Sequence, residues 1–108
     1  MTRTPADVLR EAQTHFTLMT RHARGDLADQ LVIDAICMRL SAGVEALTRL
    51  DTATRDRLFG DAWPLMWGMR NRIAHGYLLV DTDIVRRTLE HDIPPILTRI
   101  DAELTDAG

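Results

Sequence analysis

Between positions 70 and 77 the chain places a guanidinium, an amide, a second guanidinium, an imidazole and a phenol: Arg70, Asn71, Arg72, His75 and Tyr77. Those groups suit RNA cleavage without a metal. That reaction needs a base for the 2′-hydroxyl proton, an acid for the leaving oxygen, and cations on a phosphate whose charge grows in the transition state. Histidine titrates in the right range for the proton work, and arginine binds phosphate bidentately. Tyr77 can stack on a base or hydrogen-bond a phosphate. The same cluster also suits a solvated helix end, where arginines and a histidine complement the C-terminal dipole.

Spacing refines this reading. Asn71 and His75 are four apart and share a helical face, so Asn71 is expected to orient the imidazole or fix its tautomer. Arg70 and His75 are five apart, roughly 140° around a regular helix. They address one ligand only if the helix loosens near Gly76 or if two subunits share the site.

Other candidates carry less. His15 and His22 are two turns apart on one helix, about 10 Å, too far to share a zinc ion; they read as boundary and surface residues. His91 beside Asp92 is expected to face solvent. Trp63 and Trp67, four apart, read as core rather than as a base-stacking platform. Cys37, the single cysteine, lies in the apolar run Ile36-Cys37-Met38 and reads as a buried structural thiol. There is no Gly-rich phosphate loop, no nucleophile motif and no paired acidic metal site, and neither a metal nor a cofactor is expected.

The elements that must position the cluster are helical. Thr4-Pro5, with Asp7 in the first turn, starts a helix whose stripe is Val8, Ala12, Phe16 and Met19, ending near Gly25. Asp26 or Asp29 caps a second helix reaching about Leu50. Its apolar set is wider than one core-facing stripe, which predicts contact with two surfaces, one of them another subunit. Residues 51–61 read as a polar loop with at most one short helical turn. A third helix carries Trp63, Leu65, Met66, Trp67, Met69 and Ile73 and cannot extend far past Gly76. Asp81 or Asp83 caps the last helix, which Pro94-Pro95 should kink or interrupt. The expectation is an all-α, antiparallel four-helix bundle forming a single domain over residues 1–108.

Composition adds limits. No apolar run approaches ~18 residues, so no membrane span is expected. The first residues lack an apolar signal core, and a cytoplasmic location is expected. The formal net charge of −3 gives no global pull on nucleic acid, so any RNA contact must come from a local patch. All 13 basic residues are arginine, each a planar fork suited to phosphate.

The run Trp67-Gly68-Met69-Arg70-Asn71-Arg72-Ile73-Ala74-His75-Gly76-Tyr77 contains the R-x4-H-x-Y pattern and resembles the signature of HepT-like toxins, members of the HEPN superfamily of helical ribonucleases. Val80-Asp81, Asp83-Ile84-Val85 and Asp92-Ile93-Pro94 also fit that family. Gly43-Val44-Glu45-Ala46 stands where the family commonly has Gly-Glu-Ala, with one valine inserted. The resemblance spans essentially the whole chain and draws its specificity from residues 67–85. It implies a HEPN-like bundle that homodimerises and brings two Arg–His motifs into one cleft. It further implies the toxin of a bacterial type VII HEPN/MNT toxin–antitoxin system: a metal-independent endoribonuclease acting on tRNA or mRNA. By the resemblance Arg70 binds and polarises the phosphate, and His75 is the general acid/base. The implied partner is a minimal nucleotidyltransferase antitoxin that uses ATP to AMPylate Tyr77. Asn71 and Arg72 are supporting residues on our reading. The competing class is a non-catalytic HEPN-type dimer that mainly scaffolds its nucleotidyltransferase.

Overall fold

The computed structural model describes residues 3–75 and 81–107. Tyr77, singled out above, lies outside the described residues. The expected all-α class holds: the elements run α1 (Pro5–His22), α2 (Gln30–Leu47), α3 (Thr52–Phe59), α4 (Ala62–Ala74), α5 (Thr82–Arg87), a π turn (Thr88–Asp92) and α6 (Ile93–Ala107). Among the described residues there is no strand.

The start of α1 is set locally. The Thr4 hydroxyl accepts from the Asp7 N–H at 3.1 Å, and the Asp7 carboxylate accepts from the Thr4 N–H at 3.1 Å. Two otherwise unpaired donors are satisfied reciprocally, with Pro5 supplying a helical φ at the first position. The stripe Val8, Leu9, Ala12, Phe16 and Met19 is fully buried. It packs chiefly on α2. Of the two candidate caps, Asp29 starts α2 by accepting from the Leu31 N–H at 2.9 Å, while Asp26 accepts from the Ala28 N–H in the preceding turn. Gly43 lies where α1 presses tightly on α2: a Cβ there would sit 2.5 Å from the Phe16 ring.

The segment read as a loop contains a helix. α3 forms because Asp51 caps it, accepting from the Thr54 N–H at 3.1 Å, and because Leu58 and Phe59 are buried at its far end. Arg57 ties it to Glu103 of α6 through paired bonds of 3.1 and 2.8 Å. Eight residues with two core anchors show no periodic stripe, so the helix is held by its ends rather than by a pattern. Gly60 closes it at φ 49°, a left-handed conformation that glycine adopts without steric cost.

The interruption expected around Pro94-Pro95 is a π turn on their N-terminal side. The Ile93 N–H donates to the Thr88 carbonyl five residues back. Neither proline has an N–H, so Glu90 and His91 receive no α-helical bond from the residues four ahead of them, and widening the preceding turn accommodates this. Asp81, rather than Asp83, caps α5, accepting from the Asp83 N–H at 2.9 Å.

The broad apolar set of α2 does exceed what the core uses. Leu31 is 77% and Met38 69% exposed, as is Leu65 of α4 at 72%. Leu31, Met38 and Glu45 recur every seven residues and so line one stripe of α2.

Candidate active site

The cluster rides on α4, a helix of 13 residues with Met66 alone fully buried. Its core seam is completed by half-buried Ala62, Met69 and Ile73. That narrow attachment leaves two flanks of the helix accessible. On one, Trp63 and Trp67 stack at 6.0 Å between ring centroids. They are half-buried and packed against the core. Arg55 lies over Trp63 at 4.6 Å and Arg70 over Trp67 at 4.9 Å, cation–π contacts that add attraction to packing.

Arg70 is therefore not a free surface cation. Its side chain is 26% exposed and its Nη2 lies 2.8 Å from Oε2 of Glu45 on α2. Nη1 donates to the Asn71 side-chain oxygen at 3.2 Å. Among the described residues its buried Nε has no hydrogen-bond partner. Ring, carboxylate and amide together hold one guanidinium in one orientation, and they leave a donor unused.

Asn71 thus serves Arg70, where its spacing suggested His75. The link from Asn71 to His75 runs through the backbone instead: the His75 N–H donates to the Asn71 carbonyl at 3.0 Å. His75 caps the C-terminus of α4 and is exposed. Because α4 stays regular through Ala74, Arg70 and His75 remain roughly 140° apart around its axis. Within the single chain they project to different flanks. Arg72, also exposed, lies on the His75 side and lines an open groove of about 450 Å³ between α4 and the α5–π segment.

Glu45 is the residue that sequence reasoning passed over. A signal was present: it is the sole acid between Asp34 and Asp51, in an otherwise apolar part of α2. Its partner could not be read without the α2–α4 packing.

The remaining candidates fall where polarity puts them. His15 is half-buried, its Nδ1 3.2 Å from Arg39 Nη1. His22 is half-buried and His91 exposed. Cys37 is buried, and that burial pushes its thiol above the ordinary range, with Asp34 adding to the effect. Among the described residues no three His, Cys, Asp or Glu side chains gather as a metal site, and no helix is long and apolar enough to cross a membrane.

An immobilised arginine and an exposed histidine thus lie near the C-terminal end of one aromatic helix. The chain belongs to the HepT-like ribonuclease family, whose model, described as Ribonuclease HepT-like, matches residues 8–102. No curated protein and no solved structure matches the chain. The family supports ribonuclease activity at the level of its members, with RNA as the substrate class.

Proposed function

We propose that this chain is the toxin of a bacterial HEPN/MNT toxin–antitoxin pair, an endoribonuclease that needs no metal and uses Arg70 and His75 across a homodimer cleft. The observation that carries the reading is the setting of Arg70, fixed by Glu45, Asn71 and Trp67 on the helix that ends at His75. A guanidinium held in place loses less entropy on meeting a phosphate. It can then neutralise charge on a phosphoryl oxygen as the 2′-oxygen attacks phosphorus. His75 takes the 2′-hydroxyl proton, and a protonated imidazole returns one to the departing 5′-oxygen. Each such proton transfer is worth about 10²–10⁴ in rate.

The divergence of Arg70 and His75 argues for two copies: a two-fold pairing brings one protomer's histidine to the other's arginine and supplies the second imidazole. Exposed Leu31 and Met38 offer apolar surface for that pairing. Control would fall on Tyr77, two residues from His75. AMP transferred there from ATP by a nucleotidyltransferase antitoxin adds bulk and negative charge beside the site and repels RNA phosphates. ATP is the partner's substrate, and the chain itself uses no cofactor. Asn71 acts through Arg70, and Arg72 adds positive charge on the histidine flank.

The test is cleavage of tRNA and mRNA by the purified chain. His75→Ala should lower the rate by about 10²–10⁴ without lowering Tm, and EDTA should leave the rate unchanged. Equal rates for wild type and His75→Ala remove the catalytic assignment. The second reading, a scaffold that only holds its nucleotidyltransferase, draws on the Glu45 carboxylate already engaging Arg70. A chain that cleaves no RNA yet accepts AMP at Tyr77 would favour it.

A further inference from the structure

The flank of α4 that ends at His75 faces a groove rather than the core. One wall carries Leu65, Gly68 and Arg72, and the opposite wall Arg87, Thr88 and Asp92 from the α5–π segment. An adjoining pocket of about 220 Å³, lined by Met66, Met69 and Ile96, shares Leu65, Thr88 and Asp92 with the groove. We propose that this groove is an RNA-strand subsite, with Arg72 and Arg87 on phosphates and one unstacked base in the adjoining apolar pocket. The proposal rests on the ribonuclease reading for its ligand and adds where the strand lies.

Three features carry it. First is charge: an arginine stands on each wall, Asp92 is the single acid among the lining residues, and among the described residues neither Arg72 nor Arg87 forms an ion pair. In a chain of net charge −3, a local cationic groove is what nucleic-acid binding requires. A planar fork on each wall can match phosphate oxygens bidentately.

Second is shape. Gly68 sits inside α4, where glycine costs about 1 kcal/mol relative to alanine, and a Cβ there would meet nothing within 4 Å. The helix surface between Leu65 and Arg72 is bare, so a ligand can approach the backbone. Sequence-reading of single-stranded RNA works on splayed bases that insert between apolar or aromatic groups. The pocket offers apolar walls for the faces of such a base, and the Asp92 carboxylate at the rim can accept from an exocyclic amino group.

Third is the π turn. By widening the helix ahead of Pro94-Pro95 it carries Thr88, His91 and Asp92, all of which border the pocket. π-helical turns recur at functional sites.

Binding of a fluorescent single-stranded RNA is measured with the full chain in a His75→Ala background, across a salt series. Arg87→Gln should weaken binding about tenfold, the loss of one charged hydrogen-bonding group. It should also lower the slope of log Kd against log salt by about 0.7, one phosphate's share. Gly68→Gln should lower affinity about tenfold or more by filling the groove, while Tm does not fall, because glutamine favours a helix interior over glycine. The oligomeric state of both variants should equal that of the parent. Unchanged affinity and salt slope in both variants overturn the proposal. So does a loss of RNA binding that accompanies dissociation into monomers, which would assign the groove to a second copy. A wild type that cleaves RNA, beside an Arg87→Gln variant with parental affinity and slope, removes the groove and keeps the nuclease. A wild type that binds through Arg87 but never cleaves removes the nuclease and keeps the groove. A wild type that binds no RNA removes both.

Discussion

α1 and α4 are both regular helices, yet they are attached in opposite ways. α1 begins in a reciprocal cap and buries five side chains along its length. α4 has no side-chain bond at its N-cap and fully buries Met66 alone. The contrast is repeated in their glycine contacts. Gly43 is pinned under the Phe16 ring of α1, whereas Gly68 of α4 has open space above it. Burial is concentrated in the α1–α2 pair, and α4 is fastened by a seam narrow enough to leave its flanks accessible. That division suits the proposed role of α4: a rigid body behind it and little cost in changing what it displays.

Substitutions on the α1 side test this contrast most severely. Phe16→Ala should cost about 3–5 kcal/mol in denaturant unfolding, a large part of the stability of a domain this size. If the loss were under ~1 kcal/mol, α1 would not be the anchor described.

Paired glycine changes should then separate the two regions by sign. Gly43→Ala should destabilise by about 1–3 kcal/mol, since the new methyl drives into a fully buried ring and overpacking outweighs the gain in helix propensity. Gly68→Ala should stabilise by about 0.5–1 kcal/mol, since nothing opposes the methyl and the unfolded chain loses freedom. Thermal melts of the two variants, run together, check this. Changes of the same sign would erase the distinction.

The smallest effect concerns acid. Asp7 is held below its ordinary 3.8 mainly by the Thr4 backbone N–H, Asp51 by the Thr54 hydroxyl, and Glu103 below 4.5 by its bond from Arg57. A carboxyl lowered in the folded state contributes stability that is present above its ordinary value and is lost as pH falls through its folded one. Tm should therefore decline on acidification below about pH 4.5, and Asp51→Asn should make that decline shallower. A decline of equal steepness in the variant would show that the α3 cap carries no share. Asp51 is exposed and Asp7 and Glu103 are no more than half-buried, so the effect is modest.

The sequence by itself determined those features whose causes are local. Thr4-Pro5 with Asp7 specifies a cap through atoms three residues apart, and Val8, Ala12, Phe16 and Met19 specify a buried face through the helical repeat alone. The absence of an N–H on Pro94 and Pro95 demanded an irregularity nearby, and the 140° between Arg70 and His75 follows from helical geometry. The tertiary structure decided what depends on distant chain segments meeting. α3 has no stripe to announce it and is held by Asp51, Leu58, Phe59 and a tether to Glu103, 46 residues from Arg57. Spacing pointed Asn71 at His75, and it serves Arg70 instead, whose guanidinium is drawn to Glu45 on α2. The groove between Arg72 and Arg87 likewise exists because α5 and the π turn lie beside α4. Local hydrogen bonds and periodicity act over a turn or two and are written in adjacent residues, while the partner of a charge is chosen by whichever opposite group packing carries within reach.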